Sequence, residues 1–292
     1  MKTRIIVAAV LIPLLLAILF FLPLWCFAIV AAVLAGVGAY EFMRCTASAA
    51  PKYLTVAAII FAASAPVSAW LSAGTRNIGI SLFLFIVVLF VMMIVSIERN
   101  RKKISLLQML CAFFAGVVFP HMFSALIRLG YAQQGAFAGF VWEIIRPIGL
   151  AYILLPIIIT FTCDSGAYFA GVFLGKHKLA PIVSPKKTIE GSIGGFAAGI
   201  GFALLYGFVL SKIGFDVNFM VLAIYGFVGS VFCQIGDLSY SVIKREFGIK
   251  DYGSLFPGHG GALDKLDSMS FVAPVIELML LIYPAISLTG VL

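Results

Sequence analysis

Nine apolar runs, each about 20 residues and so long enough to cross a hydrocarbon core about 30 Å thick as a helix, dominate this chain of 292 residues. They cover residues 5–22, 24–42, 53–72, 78–97, 105–128, 148–173, 191–212, 219–241 and 269–289. The runs are continuous rather than alternating, which selects helices over strands. A helix also satisfies its own backbone N–H and C=O groups, the condition for lying in lipid. Water offers no alternative home: 63% of the residues are hydrophobic and 11% charged, against about 45–50% and 25% in soluble domains. The expected fold is therefore an all-α polytopic integral membrane protein with a single transmembrane domain over residues 1–292. Residues 1–130 would supply scaffold helices, and 148–290 the helices and cytosolic loops that carry the chemistry. Residues 1–22 begin like a signal peptide, with Lys2 and Arg4 ahead of an apolar stretch. That stretch is long and no small-x-small cleavage site follows it promptly, so it reads as the first transmembrane helix.

The basic residues set the orientation, because Lys and Arg in short loops stay cytosolic. One set of loops holds Lys2, Arg4, Arg44, Lys52, Arg99, Arg101, Lys102, Lys103, Lys176, Lys178, Lys186, Lys187, Lys244, Arg245, Lys250 and Lys265. The other holds only Arg76, Arg128, Arg146 and Lys212. The N-terminus is thus expected in the cytosol and the C-terminus on the far side. A basic rim against anionic headgroups accounts for the net charge of +8 without nucleic acid as a partner, and the run Glu98–Lys103 belongs to that rim. The cysteines Cys26, Cys45, Cys111, Cys163 and Cys233 are scattered, with no C-x-x-C pair, and read as small hydrophobes. The acids Asp164, Glu190, Asp237, Glu246, Asp251, Asp264 and Asp267 lie in or near the cytosolic segments that flank the last four helices. Residues 1–130 contain only Glu41 and Glu98.

Three segments carry candidate chemistry. Ser241–Asp267 is the densest, with Lys244, Arg245, Lys250, His259, Asp264, Lys265 and Asp267 in one inter-helix stretch. Asp264 and Asp267, spaced i, i+3 at the start of the ninth helix, project from one face of its first turn, where the helix dipole favours carboxylates. With a third acid they form an all-oxygen set suited to Mg²⁺ bound together with substrate phosphates. Asp237 is the candidate third acid. It lies inside an apolar run, where an aspartate costs about 2.5–3.5 kcal/mol and marks function by default. It shares a helix stripe with Ser241 and Lys244, and the alternative reading is a structural ion pair with a lysine. Asp164 has similar standing in Cys163-Asp164-Ser165-Gly166, where the Ser-Gly step would let the helix break. Its role as ligand, substrate-orienting group or packing partner stays open.

The third segment is Ser184-Pro185-Lys186-Lys187-Thr188-Ile189-Glu190-Gly191. Ser before Pro fits an N-cap and first helical position, where free N–H groups and two lysines would suit a phosphate. Gly191, Gly195 and Gly199 form a small-xxx-small face for close helix packing. His259, between glycines, is a candidate substrate contact, whereas His121 and His177 read as structural. Metal-binding acids and phosphate-binding cations at interfacial depth suit phosphoryl or nucleotidyl transfer between a soluble nucleotide and a membrane lipid.

At these residues the chain resembles the phosphatidate cytidylyltransferases, or CDP-diacylglycerol synthases. Their signature is S-x-apolar-K-R, four residues, K-D-x-small, two residues, then apolar-P-x-H-G-G-apolar-x-D-R-apolar-D, and it runs here from Ser241 to Asp267 without a gap. Asp164–Tyr168, Ser184–Gly191 and Gly236–Leu238 are similar to the family's other blocks. Two positions depart: Ala262 replaces a larger apolar residue, and Lys265 stands where the family has arginine, a change that keeps charge but loses a bidentate fork.

The resemblance implies an all-helical fold with a funnel-like cavity, a homodimer, and a metal centre that takes Mg²⁺, with a monovalent cation such as K⁺ as a further candidate. It implies Asp237, Asp264 and Asp267 as the metal acids, and Asp237, Asp264, Lys244 and His259 as the catalytic set. Ser184, Lys186, Lys187, Thr188, Lys244, Arg245, Lys250 and Asp164 would bind the phosphates of CTP and phosphatidate. The expected reaction is cytidylyl transfer to phosphatidate in phospholipid biosynthesis, at a bacterial inner membrane with the site facing the cytosol. Two rival readings are a CTP-dependent lipid kinase, whose alcohol acceptor attacks the γ-phosphorus, and an ion-coupled transporter using Asp164 and Asp237.

Overall fold

The computed structural model describes residues 13–72, 86–92, 94, 104–132, 142–255 and 260–288. The chain forms two compact units, Met1–Arg128 with Glu246–Leu266, and Leu129–Arg245 with Asp267–Leu292.

In the first unit, α1 (Leu24–Thr46) and α2 (Lys52–Leu71) lie along each other. Small residues make this possible: Ala28, Ala31, Ala35 and Ala39 of α1 are buried, as are Ala58, Ala62 and Ala65 of α2. α3 (Leu106–Phe113) opens on a capping box, in which Ser105 accepts from the Gln108 N–H and the Gln108 side chain accepts from the Ser105 N–H. These contacts satisfy two of the backbone donors that a helix start leaves open. A π-helical turn, Phe114–Val118, then leads into α4 (Phe119–Phe123) and α5 (Ala125–Leu129). Pro120 supplies the cause, since it has no N–H to return to the carbonyl of Gly116 and the ladder must widen. His121 fills part of the gap, with Nδ1 2.9 Å from the Val117 carbonyl oxygen.

In the second unit, α6 (Trp142–Leu174) is one unbroken helix, so the break expected at Ser165-Gly166 does not occur. Gly166 is instead a packing residue: a Cβ there would sit 2.7 Å from the Gly194 carbonyl oxygen. The partner is α7 (Ile189–Lys212), and these two helices make the most extensive pairing among the described elements. The glycine face takes part. A Cβ at Gly191 would lie 2.8 Å from the Ala167 carbonyl oxygen, and one at Gly195 would lie 3.0 Å from that of Cys163. Gly199 faces the other way, against Ser230 of α8 (Phe219–Glu246).

Between α6 and α7 stands an antiparallel hairpin of β1 (Lys178–Ala180) and β2 (Ser184–Thr188), with Lys178 opposite Thr188 and Ala180 opposite Ser184. Ser184 is therefore not the N-cap expected from the Ser-Pro step. Pairing with β1 draws 184–188 into extended backbone, which suits the fixed φ of Pro185, and the cap moves to Thr188. Thr188 (φ −125°, ψ 156°) accepts from the Gly191 N–H at 3.1 Å. A second antiparallel pair joins β3 (Phe215–Val217) to β4 (Ile286–Leu288), which α8 and the last helix separate in sequence. The Tyr152 hydroxyl accepts from the Ile286 N–H and donates to the Ile286 carbonyl, both at 2.9 Å. The ninth apolar run differs accordingly: its helix, α9, covers Leu263–Ile282 and stops before Pro284.

Six helices among the described residues, 24–46, 52–71, 106–129, 148–174, 189–212 and 219–246, are long and apolar enough to cross a membrane. Its two short strand pairs aside, the chain is an all-α integral membrane protein. Of the run at 5–22 the described residues are 13–22, of the run at 78–97 they are 86–92 and 94, and the Glu98–Lys103 rim lies outside the described residues entirely.

Candidate active site

Asp237 and Asp267 are neighbours because α8 carries a glycine at position 236. A Cβ there would lie 3.0 Å from the Asp267 carbonyl oxygen and 3.1 Å from the Ser268 Cα, so only glycine lets the backbone of α9 come this close. Asp267 is buried, and its Oδ1 accepts from the Ser268 N–H at 2.7 Å. It feels repulsion from Asp237 and Asp164 and attraction from Lys244. Lys244 is also buried, two turns along α8 from Asp237, and Ser241 donates weakly to the Asp237 Oδ1 at 3.5 Å. Asp164 reaches the group from α6, where its Oδ1 accepts from the Cys233 thiol at 3.4 Å. Burying carboxylates together is costly without cations or hydrogen bonds to offset their charge, and Lys244 supplies one such cation.

The second cation comes from the β1–β2 hairpin. Lys187 forms an ion pair with Asp237, each side chain part-exposed at 25% and 31%. The ion pair that stood as the alternative reading of Asp237 thus exists, and it joins the Lys-Lys segment to the acidic group. Lys186, its neighbour on the strand, is exposed, and Thr188 is buried in its capping role. Two contacts fix the hairpin. Arg245 Nε donates to the Val183 carbonyl at 3.1 Å, which ties the turn near Ser184 to the end of α8. Glu190, in the first turn of α7, accepts from the Lys176 and His177 N–H groups at 3.0 and 3.2 Å. Its other oxygen meets His177 Nδ1 at 2.6 Å.

The remaining signature residues belong to the first unit. The Oδ2 of Asp264 accepts from the Tyr252 N–H at 2.8 Å and the Gly261 N–H at 3.0 Å. Asp264 therefore closes the loop that leads into α9, and Gly260 turns toward it with φ at +90°. Lys250 is exposed on the same loop, whereas His259 lies outside the described residues. Glu41 is the residue that sequence reasoning missed. It is buried in α1, and its Oε2 accepts from the Leu263 N–H at 3.0 Å. The available signal was an acid within an apolar run, the same signal that singled out Asp237.

Among the described residues no three His, Cys, Asp or Glu side chains stand as a ready metal cage. The donor chemistry nonetheless fits Mg²⁺, which binds through one or two carboxylates and takes its other ligands from water and substrate phosphates. Asp237 and Asp267 offer the carboxylates, and Lys187 and Lys244 are the cations beside them.

The family model described as "Cytidylyltransferase family" matches residues 2–283. A protein of Staphylococcus haemolyticus (strain JCSC1435) named "Phosphatidate cytidylyltransferase" is 40% identical over 164 residues, 56% of this chain and 61% of the relative. One of the same name from Staphylococcus aureus (strain COL) is 41% identical over 165 residues, with the same shares. The chain thus spans about three fifths of the length of the curated relatives it matches. The chain belongs to the cytidylyltransferase family.

Proposed function

We propose that this protein transfers a cytidylyl group from CTP to phosphatidate, forming CDP-diacylglycerol and releasing pyrophosphate. The observation that carries the reading is the grouping of Asp237, Asp267 and Asp164 with Lys187 and Lys244, an acid-and-cation set that suits a triphosphate. The names of the similar staphylococcal proteins support the choice of nucleotide and lipid.

In this reaction a phosphate oxygen of phosphatidate attacks the α-phosphorus of CTP in line. The bond from that phosphorus to the bridging α–β oxygen breaks, and pyrophosphate leaves with the electron pair. The nucleophile is already anionic, so positioning and charge neutralisation supply the rate, without a strong general base. Lys186, Lys187, Lys244, Arg245 and Lys250 meet the phosphates, and Ser184 and Thr188 frame the hairpin that presents the lysine pair. Asp237 and Asp267, with Asp264 one turn earlier on α9, would hold Mg²⁺, which when bound neutralises phosphate charge. His259 serves as a substrate contact. Nine spans, a cytosolic N-terminus and cytosolic site, a bacterial inner-membrane location and a homodimer complete the proposal.

The test uses purified protein with Mg²⁺, phosphatidate, a lipid alcohol such as diacylglycerol, and CTP labelled at either the α- or the γ-phosphorus. Cytidylyl transfer puts the α-label into lipid and releases the γ-label as pyrophosphate. A CTP-dependent lipid kinase would put the γ-label into lipid and release CDP, an outcome that overturns the proposal.

A further inference from the structure

Glu41 sits near the end of α1, more than two hundred residues from the loop it touches. Within the first unit its Oε2 accepts from the N–H of Leu263, the first residue of α9. That N–H is one of the donors a helix start leaves without an intrahelical partner. A carboxylate there also meets the positive end of the helix dipole, so Glu41 acts as a cap supplied from a distant helix. Two loop glycines make room for it. A Cβ on Gly253 would fall 3.0 Å from the Glu41 Cγ, and one on Gly261 would fall 2.6 Å from its Cδ. The same stretch of α1 grips the loop at a second point. Arg44 Nη2 donates to the Tyr252 carbonyl at 3.1 Å and the Cys45 thiol donates to it at 3.2 Å. The Phe42 and Tyr252 rings stack at 5.9 Å, and the Tyr252 N–H is the donor that reaches Asp264.

We propose that Glu41 is a positioning residue: with its neighbours on α1 it fixes Tyr252–Gly253 and Gly261–Leu263, and with them the orientation of Asp264, without touching substrate. This rests on the reading of the 241–267 segment as part of a cytidylyl-transfer site. The contact explains why an acid is buried in a helix whose other buried positions, Thr46 apart, are apolar residues or glycine. It also gives α1 a part in the site beyond that of scaffold or lipid-facing wall.

The requirement is reach rather than charge, and three variants of the full-length protein separate the two. Glu41→Gln keeps chain length and an acceptor oxygen; Glu41→Asp keeps charge but draws the acceptor back by one methylene; Glu41→Ala removes both. Each is measured by hydrogen–deuterium exchange over residues 252–263 and by steady-state kinetics with CTP and phosphatidate. In Glu41→Asp and Glu41→Ala the loop should exchange faster. Their kcat should fall about 100-fold, the scale of a displacement of about 1 Å in a reacting group, while the KM for CTP changes little. Glu41→Gln should stay within about fivefold of wild type, because its amide oxygen still accepts the Leu263 N–H. Glu41→Asp carries the test if Glu41→Ala does not fold. Unchanged loop exchange in Glu41→Asp, or a Glu41→Gln enzyme as impaired as Glu41→Asp, overturns the proposal. Faster loop exchange in a protein whose wild type does not use CTP would uphold the loop anchor and defeat the reaction assignment.

Discussion

The Lys187 ammonium lies against Asp237, yet both side chains keep partial access to solvent, the condition for exchanging one anionic partner for another. In the proposed reaction a CTP phosphate takes the place of Asp237, and the aspartate is released toward the cation it would share with Asp267. Lys187→Ala should then raise the KM for CTP by about 10- to 100-fold, the value of one charge-assisted hydrogen bond at about 1.5–3 kcal/mol. A purely structural pair predicts a different pattern. Lys187→Ala would lower thermal stability and leave the KM alone, and adding Asp237→Asn would restore the stability. Kinetics over a range of CTP concentrations, with melting curves of both variants, decide between the two. Residue-level legibility was uneven. Asp237 was visible because an ionised group in an apolar run is expensive, and Lys244 and Asp267 because charge is dense between Ser241 and Asp267. The role of Asp264 was only half visible: its place in the first turn follows from spacing, but the N–H groups it accepts come from a loop whose path no spacing reveals.

At the level of elements, the proposed sidedness of the site turns on α7. Its 24 residues rise about 36 Å at 1.5 Å per residue, enough to cross a hydrocarbon core of about 30 Å. The β1–β2 hairpin precedes its first residue and β3 follows its last. In a variant whose five native cysteines are alanine, we expect Lys178→Cys to react with a membrane-impermeant thiol reagent only from the cytosolic side. Asp216→Cys should react only from the opposite side, and both original side chains are exposed. Labelling of both from one face would remove α7 from the list of spans, and reversed labelling would put the hairpin proposed to bind phosphate on the wrong side for CTP. Elements were legible where hydropathy and glycine spacing dictated them, as along α6 and α7. They were misread at Ser184-Pro185 and Ser165-Gly166. The first became a strand because β1 pairs with it, and the second stayed helical because α7 packs on its glycine. Both outcomes depend on a partner outside the segment itself, a strand just upstream in the first case and the next helix in the second.

For the whole molecule, the family resemblance implies a homodimer, and we expect light scattering of the purified protein, corrected for detergent, to give twice the 31.4 kDa chain mass. The mass of a single chain would overturn that expectation and require each protomer to bind CTP and phosphatidate alone. The sequence by itself determined that the chain is helical and lipid-embedded, and it singled out Ser184–Gly191 and Ser241–Asp267 as the segments with candidate chemistry. Hydrophobic continuity and the cost of intramembrane charge are local properties, legible one residue at a time. Only the tertiary structure decided that Gly236 seats α9 against Asp237, that Lys187 reaches Asp237 from a hairpin, and that Glu41 caps the helix carrying Asp264. These contacts join residues separated by tens to hundreds of positions. They form because backbone donors and buried charges must find partners wherever the packed helices supply them.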